Sequence, residues 1–338
     1  MKQKIAALFL ASFMALSMAS CGTSGSSSGS SSAQSQGQSS KAEEEESYTI
    51  GICQLVQHEA LDAATQGFRD ALTEKLGDKV VFDEKNASND SAVCSVICNQ
   101  FVSSNVDLIM ANATAALQAA QTASNKIPVL GTSVTDYGTA LGISDWTGTV
   151  GTNVSGTSDL APLEDQAKML QEFFPDAKNV GVFYCSAEPN SKYQSKVITE
   201  YLTQMGYTCK DYTFSDSNDV QSAITLAASE SDVIYLPTDN TVASNTGIID
   251  SVCRPAKVPI IAGEEGICKG AGVATLSISY YDLGYVTGEM AYDILVNGAD
   301  PSVMPVQYAP NVTKKYNPVI CGELGITPPE GYEAIVVE

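Results

Sequence analysis

From Tyr48 onward, short apolar runs alternate with longer stretches of helical period. TIGICQLV (49–56) precedes a helix from about Glu59 to Leu76, KVVFDEKN (79–86) a helix across Ser91 to Ser103, and VDLIMA (106–111) a helix from Thr114 to Ser124, before PVLGTSV (128–134). The second half runs NVGVFY (179–184), helix Lys192 to Met205, CKDYTF (209–214), helix Asp219 to Ser229, DVIYLP (232–237), helix Asn240 to Cys253, then VPIIAG (258–263). Apolar runs without polar alternation predict strands covered on both faces, and helices between them predict parallel βαβ units.

The two halves align. Gly51 to Leu72 matches Gly181 to Leu202 at an offset of 130, Asp107 matches Asp232 at 125, and Lys126, Ile127, Pro128 match Lys257, Val258, Pro259 at 131. So long a period excludes a solenoid, whose repeats run about 20–50 residues. The expected fold class is therefore α/β, with two doubly wound parallel-sheet lobes joined by a multi-strand hinge. Between the halves, Trp146 to Asp159 has no helical period; after them come ATLSIS (274–279), a helix from Tyr281 to Val296 stopped at Asn297 and Gly298, and an extended, Pro-interrupted stretch from Met304 to Cys321. Two lobes with several crossings make a clamshell.

The first residues have a different pattern. Lys2 and Lys4 lead an apolar run from Ile5 to Leu16, which predicts a signal peptide over 1–20. Met18, Ala19, Ser20 and Cys21 resemble the lipobox of bacterial lipoproteins, implying a lipid on Cys21; an ordinary secretory signal is the alternative. Residues 21–47 are mostly Ser, Gly, Gln and Glu, a composition that forms a flexible tether. The expected location is the outer face of the bacterial cytoplasmic membrane.

Charge and chemistry narrow the function. With 18 Lys and Arg against 39 Asp and Glu and a net charge of −21, the chain has no footprint for nucleic acid. Its one histidine, His58, lies in no catalytic motif and reads as a surface residue or a neighbour of a ligand loop; no phosphate loop, dinucleotide fingerprint or zinc spacing occurs. No catalytic residue, metal or cofactor is therefore expected. Cys53, Cys94, Cys98, Cys185, Cys209, Cys253, Cys268 and Cys321 fit small core residues or disulfides, with Cys94 and Cys98 read as reduced core thiols.

In open α/β sheets, ligands bind beyond the carboxyl ends of strands. The two halves show matching strand ends in VDLIMANATAAL (106–117) and SDVIYLPTDNTV (231–242), and the segments after the strands contain no Lys or Arg. Such a cleft suits a zwitterion, whose ammonium meets an acid and whose carboxylate meets hydroxyls and helix N-termini. Asp239 and Asp159 are the leading ammonium partners and Glu188 the next. The competing readings are helix caps for both aspartates and a solvated loop acid for Glu188. Thr114, Thr132 and Ser133, with Ser186, Asn190, Ser191, Thr238 and Asn240, are candidates for the polar ring. Tyr137, Trp146, Tyr184, Tyr235 and Tyr280 line the cleft or pack elsewhere.

QLVQHEALDAATQGF, TSDLAP, SAEPNS, PTDNTVAS and ISYYDLGYVTGEMA, together with the lipobox, tether and twin lobes, resemble the ABC-transporter substrate-binding lipoproteins assigned to tryptophan and tyrosine. That resemblance implies the type I periplasmic-binding-protein fold, with one lobe over 48–157 plus 277–303, the other over 158–276 plus 304–323, and a tail over 324–338. It also places Gln57 at the cleft and implies an aromatic amino acid as ligand, an ABC permease as partner, a monomer and no enzymatic step. A branched-chain amino acid or sugar receptor, or a sensor ectodomain, are the alternative functions.

Overall fold

A computed structural model describes residues 47–309 and 311–337. The expected signal peptide, Cys21 and nearly all of the expected tether lie outside the described residues. No helix among the described residues is long and apolar enough to cross a membrane.

The first sheet comprises β1 (Tyr48–Gln54), β2 (Val80–Asn86), β3 (Leu108–Asn112), β4 (Val129–Val134), β5 (Val154–Ser158) and β11 (Gln307–Tyr308), in the order β11-β5-β4-β3-β1-β2 and all parallel. The second comprises β6 (Asn179–Cys185), β7 (Thr208–Phe214), β8 (Val233–Leu236), β9 (Ile260–Ala262), β10 (Ala274–Ser277), β12 (Thr313–Tyr316) and β13 (Glu333–Ala334), in the order β13-β12-β10-β9-β8-β6-β7. Only β10 and β12 run antiparallel there. Central strands such as β3 and β8 are buried at every position, as their apolar runs Leu108 to Ala111 and Val233 to Leu236 require.

Helices cover both sheets: α1 (Glu59–Leu76), α2 (Ser91–Ser103), α3 (Thr114–Ala123), α4 (Tyr137–Leu141) and α11 (Tyr280–Leu295) on the first, and α5 (Leu163–Phe173), α6 (Pro189–Gln204), α7 (Val220–Glu230), α8 (Asn240–Ala243), α9 (Thr246–Ala256), α10 (Glu265–Ala271) and α12 (Pro318–Leu324) on the second. The pairing of halves extends to side-chain detail. Asp107 Oδ2 accepts from Thr49 N at 2.7 Å, and its counterpart Asp232 accepts from Lys178 N at 2.9 Å and Asn179 N at 2.8 Å. Each aspartate ties the start of one central strand to the next.

Several elements differ from the pattern-based expectation. The helix expected from Asn240 to Cys253 is two helices, because Asn245 Nδ2 donates to the Thr241 carbonyl at 2.7 Å and breaks the ladder. The helix expected from Lys192 starts at Pro189, whose fixed φ and missing N–H suit a first turn. The link from Trp146 to Asp159 contains β5, whose VSGTS carries no apolar run to betray it.

The chain crosses between sheets near 158–163, 277–280 and 308–313. The boundary expected after 303 therefore falls later, since β11 adds Gln307 beside Thr157 to fill the edge of β5. Residues 324–338, expected as a tail, include β13 paired with β12, and Ile335 is buried in the second core. Strands of two residues are too short to show a period.

All eight cysteines among the described residues are free thiols, and every one except Cys209 is buried. Cys94 and Cys98 share one core with Cys53 under α2, as expected for small apolar groups.

Candidate functional site

The carboxyl ends of β4 and β5 and the start of α11 face the ends of β6 and β8 and the starts of α8 and α10. Between them is a narrow, nearly closed cleft of about 10 Å³, far below the roughly 300–1,000 Å³ of open ligand pockets. Of the candidates, Ser133, Asp159, Asn190, Thr238, Asp239 and Asn240 line it, joined by His58, Thr135, Glu264 and Tyr280. No lysine or arginine does.

The three candidate acids differ in what their oxygens already do. Asp239, 1% exposed, accepts from Val242 N at 2.8 Å through Oδ1 and from Cys185 N at 2.7 Å through Oδ2. It is the cap of α8 and pins that turn to the end of β6. Glu188, expected as either a ligand acid or a solvated one, is buried and accepts five hydrogen bonds from Asn190, Asn240 and Thr241. Asp159 is 4% exposed; its Oδ2 accepts from Tyr280 OH at 2.9 Å, and its Oδ1 has no partner at hydrogen-bonding geometry. It caps nothing, because α5 starts at Leu163 behind Pro162.

Burial raises the pKa of Asp159 above the ordinary carboxylate range, against the opposing pull of the Thr135 and Tyr280 hydroxyls. Burial also raises that of Asp239, with Glu188 adding to it. Beside Asp159, the Ser133 hydroxyl is buried and unpartnered as well, on a residue with φ 54. A buried carboxylate oxygen and a buried hydroxyl, both unsatisfied and the second on strained backbone, form a polar corner that costs free energy until something fills it.

Other candidates lie elsewhere. Gln57 is exposed, and the bend after β1 turns the next residue inward instead. That residue, His58, is half-buried, and its Nε2 lies 3.2 Å from Asn240 Oδ1. Burial lowers its pKa, with Asn240, Glu188 and Asp62 opposing. Its surface reading gives way to the other one, a position beside the ligand loop, in the cleft wall. Thr132 Oγ1 bonds Thr157 Oγ1 in the core, Thr114 and Ser191 are buried outside the cleft, and Ser186 Oγ donates to the Phe214 carbonyl. Of the aromatic candidates only Tyr280 lines the cleft: Tyr137 stacks on Trp146 and donates to the Thr157 carbonyl, Tyr235 bonds Gln166, and Tyr184 bonds Asp211.

Glu264 was not among the sequence candidates. It caps α10 by accepting from Gly266 N and Ile267 N, and burial pushes its pKa up to about 7. No cluster of His, Cys, Asp or Glu among the described residues could hold a metal ion.

A variant separates the cap from the free acid. Asp239→Ala leaves the N–H groups of Val242 and Cys185 without acceptors in a buried place, so it is expected to destabilise the fold by about 2 kcal/mol. A drop in the urea midpoint at unchanged slope reads this directly; an unchanged midpoint would remove the capping role.

A family profile described as ABC transporter substrate binding protein matches residues 49–336. A tyrosine-binding protein of Clostridioides difficile (strain R20291) is 38% identical over 260 residues, covering 76% of this chain and 75% of that protein. Among solved structures, an ABC domain from Streptococcus pneumonia in complex with L-Trp is similar with a TM-score of 0.81 at 31% identity, over 86% of this chain and 100% of that one. The ligand-free, open structure of CD0873, a substrate-binding protein with adhesive properties from Clostridium difficile, has a TM-score of 0.66 at 38% identity, again over 86% and 100%. The backbone thus lies nearer to the L-Trp complex than to the open chain, although the open chain is nearer in sequence. Two-lobed molecules differ in this way when the lobe angle changes and the lobes themselves do not. The architecture is the type I periplasmic-binding-protein fold.

Proposed function

The chain belongs to the ABC transporter substrate-binding protein family, and from that premise we propose that its lobes close on a free aromatic amino acid whose ammonium is held by Asp159. The single observation that carries this reading is the unpartnered Oδ1 of Asp159, buried at the lobe junction beside the unpartnered Ser133 hydroxyl. An ammonium is the group a buried acceptor-only carboxylate takes up best. The ligand carboxylate is left to neutral groups of the cleft wall, because no lysine or arginine lines it.

Enclosure supplies most of the affinity. An aromatic side chain buries about 200 Å², or roughly 5 kcal/mol at 25 cal/mol/Å² before costs. The charge-assisted bond adds about 1.5–3 kcal/mol and selects for an amine. Binding by relatives described as tyrosine-binding and L-Trp-bound supports the same class. The reading extends to export and anchoring through a lipid on Cys21, to a monomeric receptor, and to delivery of the ligand unaltered to a membrane permease.

Mass spectrometry of the small molecules released on denaturing the purified chain, followed by calorimetry with tyrosine, tryptophan and phenylalanine, tests it. The expected result is micromolar or tighter binding of at least one of the three. Binding of leucine, valine or a sugar with no response to any aromatic amino acid would overturn it.

A further inference from the structure

Glu188 raises a separate question, because a buried carboxylate with no cationic partner is costly and the proposed ligand contact does not use it. Its partners answer it. Oε2 accepts from Asn240 N at 3.0 Å, Asn240 Nδ2 at 2.8 Å and Asn190 Nδ2 at 3.1 Å; Oε1 accepts from Thr241 N at 2.9 Å and Thr241 Oγ1 at 2.8 Å. Each of these is a donor, and both carboxylate oxygens act as acceptors.

Orientation follows. Once the Asn240 amide gives its Nδ2 to Glu188, its Oδ1 faces away, and there it meets His58 Nε2 of the first lobe at 3.2 Å. Once the Thr241 hydroxyl gives its proton to Glu188, its lone pairs face away, and there they accept from Asn89 Nδ2 of the first lobe at 3.0 Å. Asn89 reaches across from the loop before α2, where its φ of 65 suits an asparagine. One acceptor in the second lobe therefore makes two side chains present acceptors to the first, and the first lobe answers with two donors.

We propose that Glu188 is the positioning residue of an interlobe latch, which fixes Asn240 and Thr241 as acceptors so that His58 and Asn89 hold the lobes closed over the ligand. The latch contributes to the closed state alone, because its two crossing bonds span the lobes. It governs how slowly ligand leaves and hardly affects how fast it arrives. The inference rests on the amino-acid reading of the cleft only for its choice of ligand.

The test is stopped-flow kinetics with tyrosine, tryptophan or phenylalanine on Asn89→Asp, Glu188→Gln and the double variant. Asn89→Asp keeps shape but sets an acceptor against the Thr241 oxygen, and it makes no hydrogen bond to Glu188 itself. It should speed dissociation about fivefold or more with association nearly unchanged. Glu188→Gln introduces a donor among donors and should do the same. In the double variant, Thr241 is free to turn its hydroxyl toward the new carboxylate at position 89, so dissociation should be slower than the product of the two single effects. A merely structural Glu188 would lower the melting temperature and give independent, multiplying effects, and that result overturns the latch, as does an unchanged off-rate in Asn89→Asp. A wild-type chain that binds none of the three ligands would defeat the amino-acid reading instead. Spin-label distances between the lobes of the ligand-free chain then decide the latch: lengthening in both variants supports it, and unmoved distances overturn it.

Discussion

Asp159→Asn is expected to weaken binding of the amino acid about 10- to 100-fold while leaving the ligand-free protein as stable as before or more so. The two directions have one cause. The carboxylate is held in a nearly dry corner with one oxygen unpartnered, a cost the fold bears until an ammonium arrives. Asparagine keeps an acceptor for Tyr280 OH and discards the charge, so burial becomes cheaper and the ligand loses a charge-assisted bond worth about 1.5–3 kcal/mol. Calorimetry and a thermal melt on the same sample measure both halves.

The pH dependence carries the sign of the same argument. The folded pKa of Asp159 is raised, so its contribution to the stability of the ligand-free chain is present in full below its unfolded pKa and is lost as pH rises through the folded one. Ligand binding needs the ionised form, so affinity is present above the raised pKa and declines as pH falls through it, beginning above the ordinary carboxylate range. Asp159→Asn should flatten that decline. Unchanged affinity in the variant would move the ammonium site away from Asp159.

Gly284→Ala is expected to cost about 3 kcal/mol or more of folding stability. A Cβ there would lie 1.9 Å from the Ala64 carbonyl oxygen, and the reciprocal Cβ on Gly67 would lie 2.0 Å from the Tyr281 carbonyl oxygen. Helices α1 and α11 therefore meet backbone against backbone, and one methyl group must push them apart. The shift would strip contacts from Phe68, Ala64 and Leu283, all buried, and would disturb Tyr281 OH to Asp70 and Tyr285 OH to Glu74 at the rim. Gly247→Ala in α9 is the control, since its Cβ meets nothing within 4 Å and should change stability by no more than about 1 kcal/mol in the favourable direction. Equal urea midpoints for the two variants would contradict the close-packed helix pair.

Much of the fold was legible in the order of residues. β3, up to its terminal Asn112, and β8 are apolar because both faces are covered, and such runs cannot be disguised. The equivalence of Asp107 and Asp232 survives as two matching ties between strands. By contrast β5, VSGTS, and the two-residue strands β11 and β13 exist because an edge offered unpaired backbone groups, and a side-chain pattern holds no record of that.

The site was half legible. That strand ends free of Lys and Arg would frame a polar cleft is a statement about residue types, and it could be made from sequence. Which acid is unoccupied is not of that kind. Asp159, Asp239 and Glu188 look alike in a string of letters, and what separates them is whether donors saturate both oxygens: Val242 N from its own turn and Cys185 N from a distant strand for Asp239, Asn240 and Thr241 for Glu188, whereas Asp159 has Tyr280, 121 positions away, on Oδ2 and nothing at hydrogen-bonding geometry on Oδ1. The bend that turns Gln57 out and His58 in is set in the same way by where α1 packs. Sequence by itself determined the α/β class, the duplicated lobes and the chemistry of the cleft walls, because hydrophobic period and side-chain type are local properties. Only the tertiary structure decided which carboxylate was left with an empty oxygen, because hydrogen-bond saturation is a property of neighbours in space.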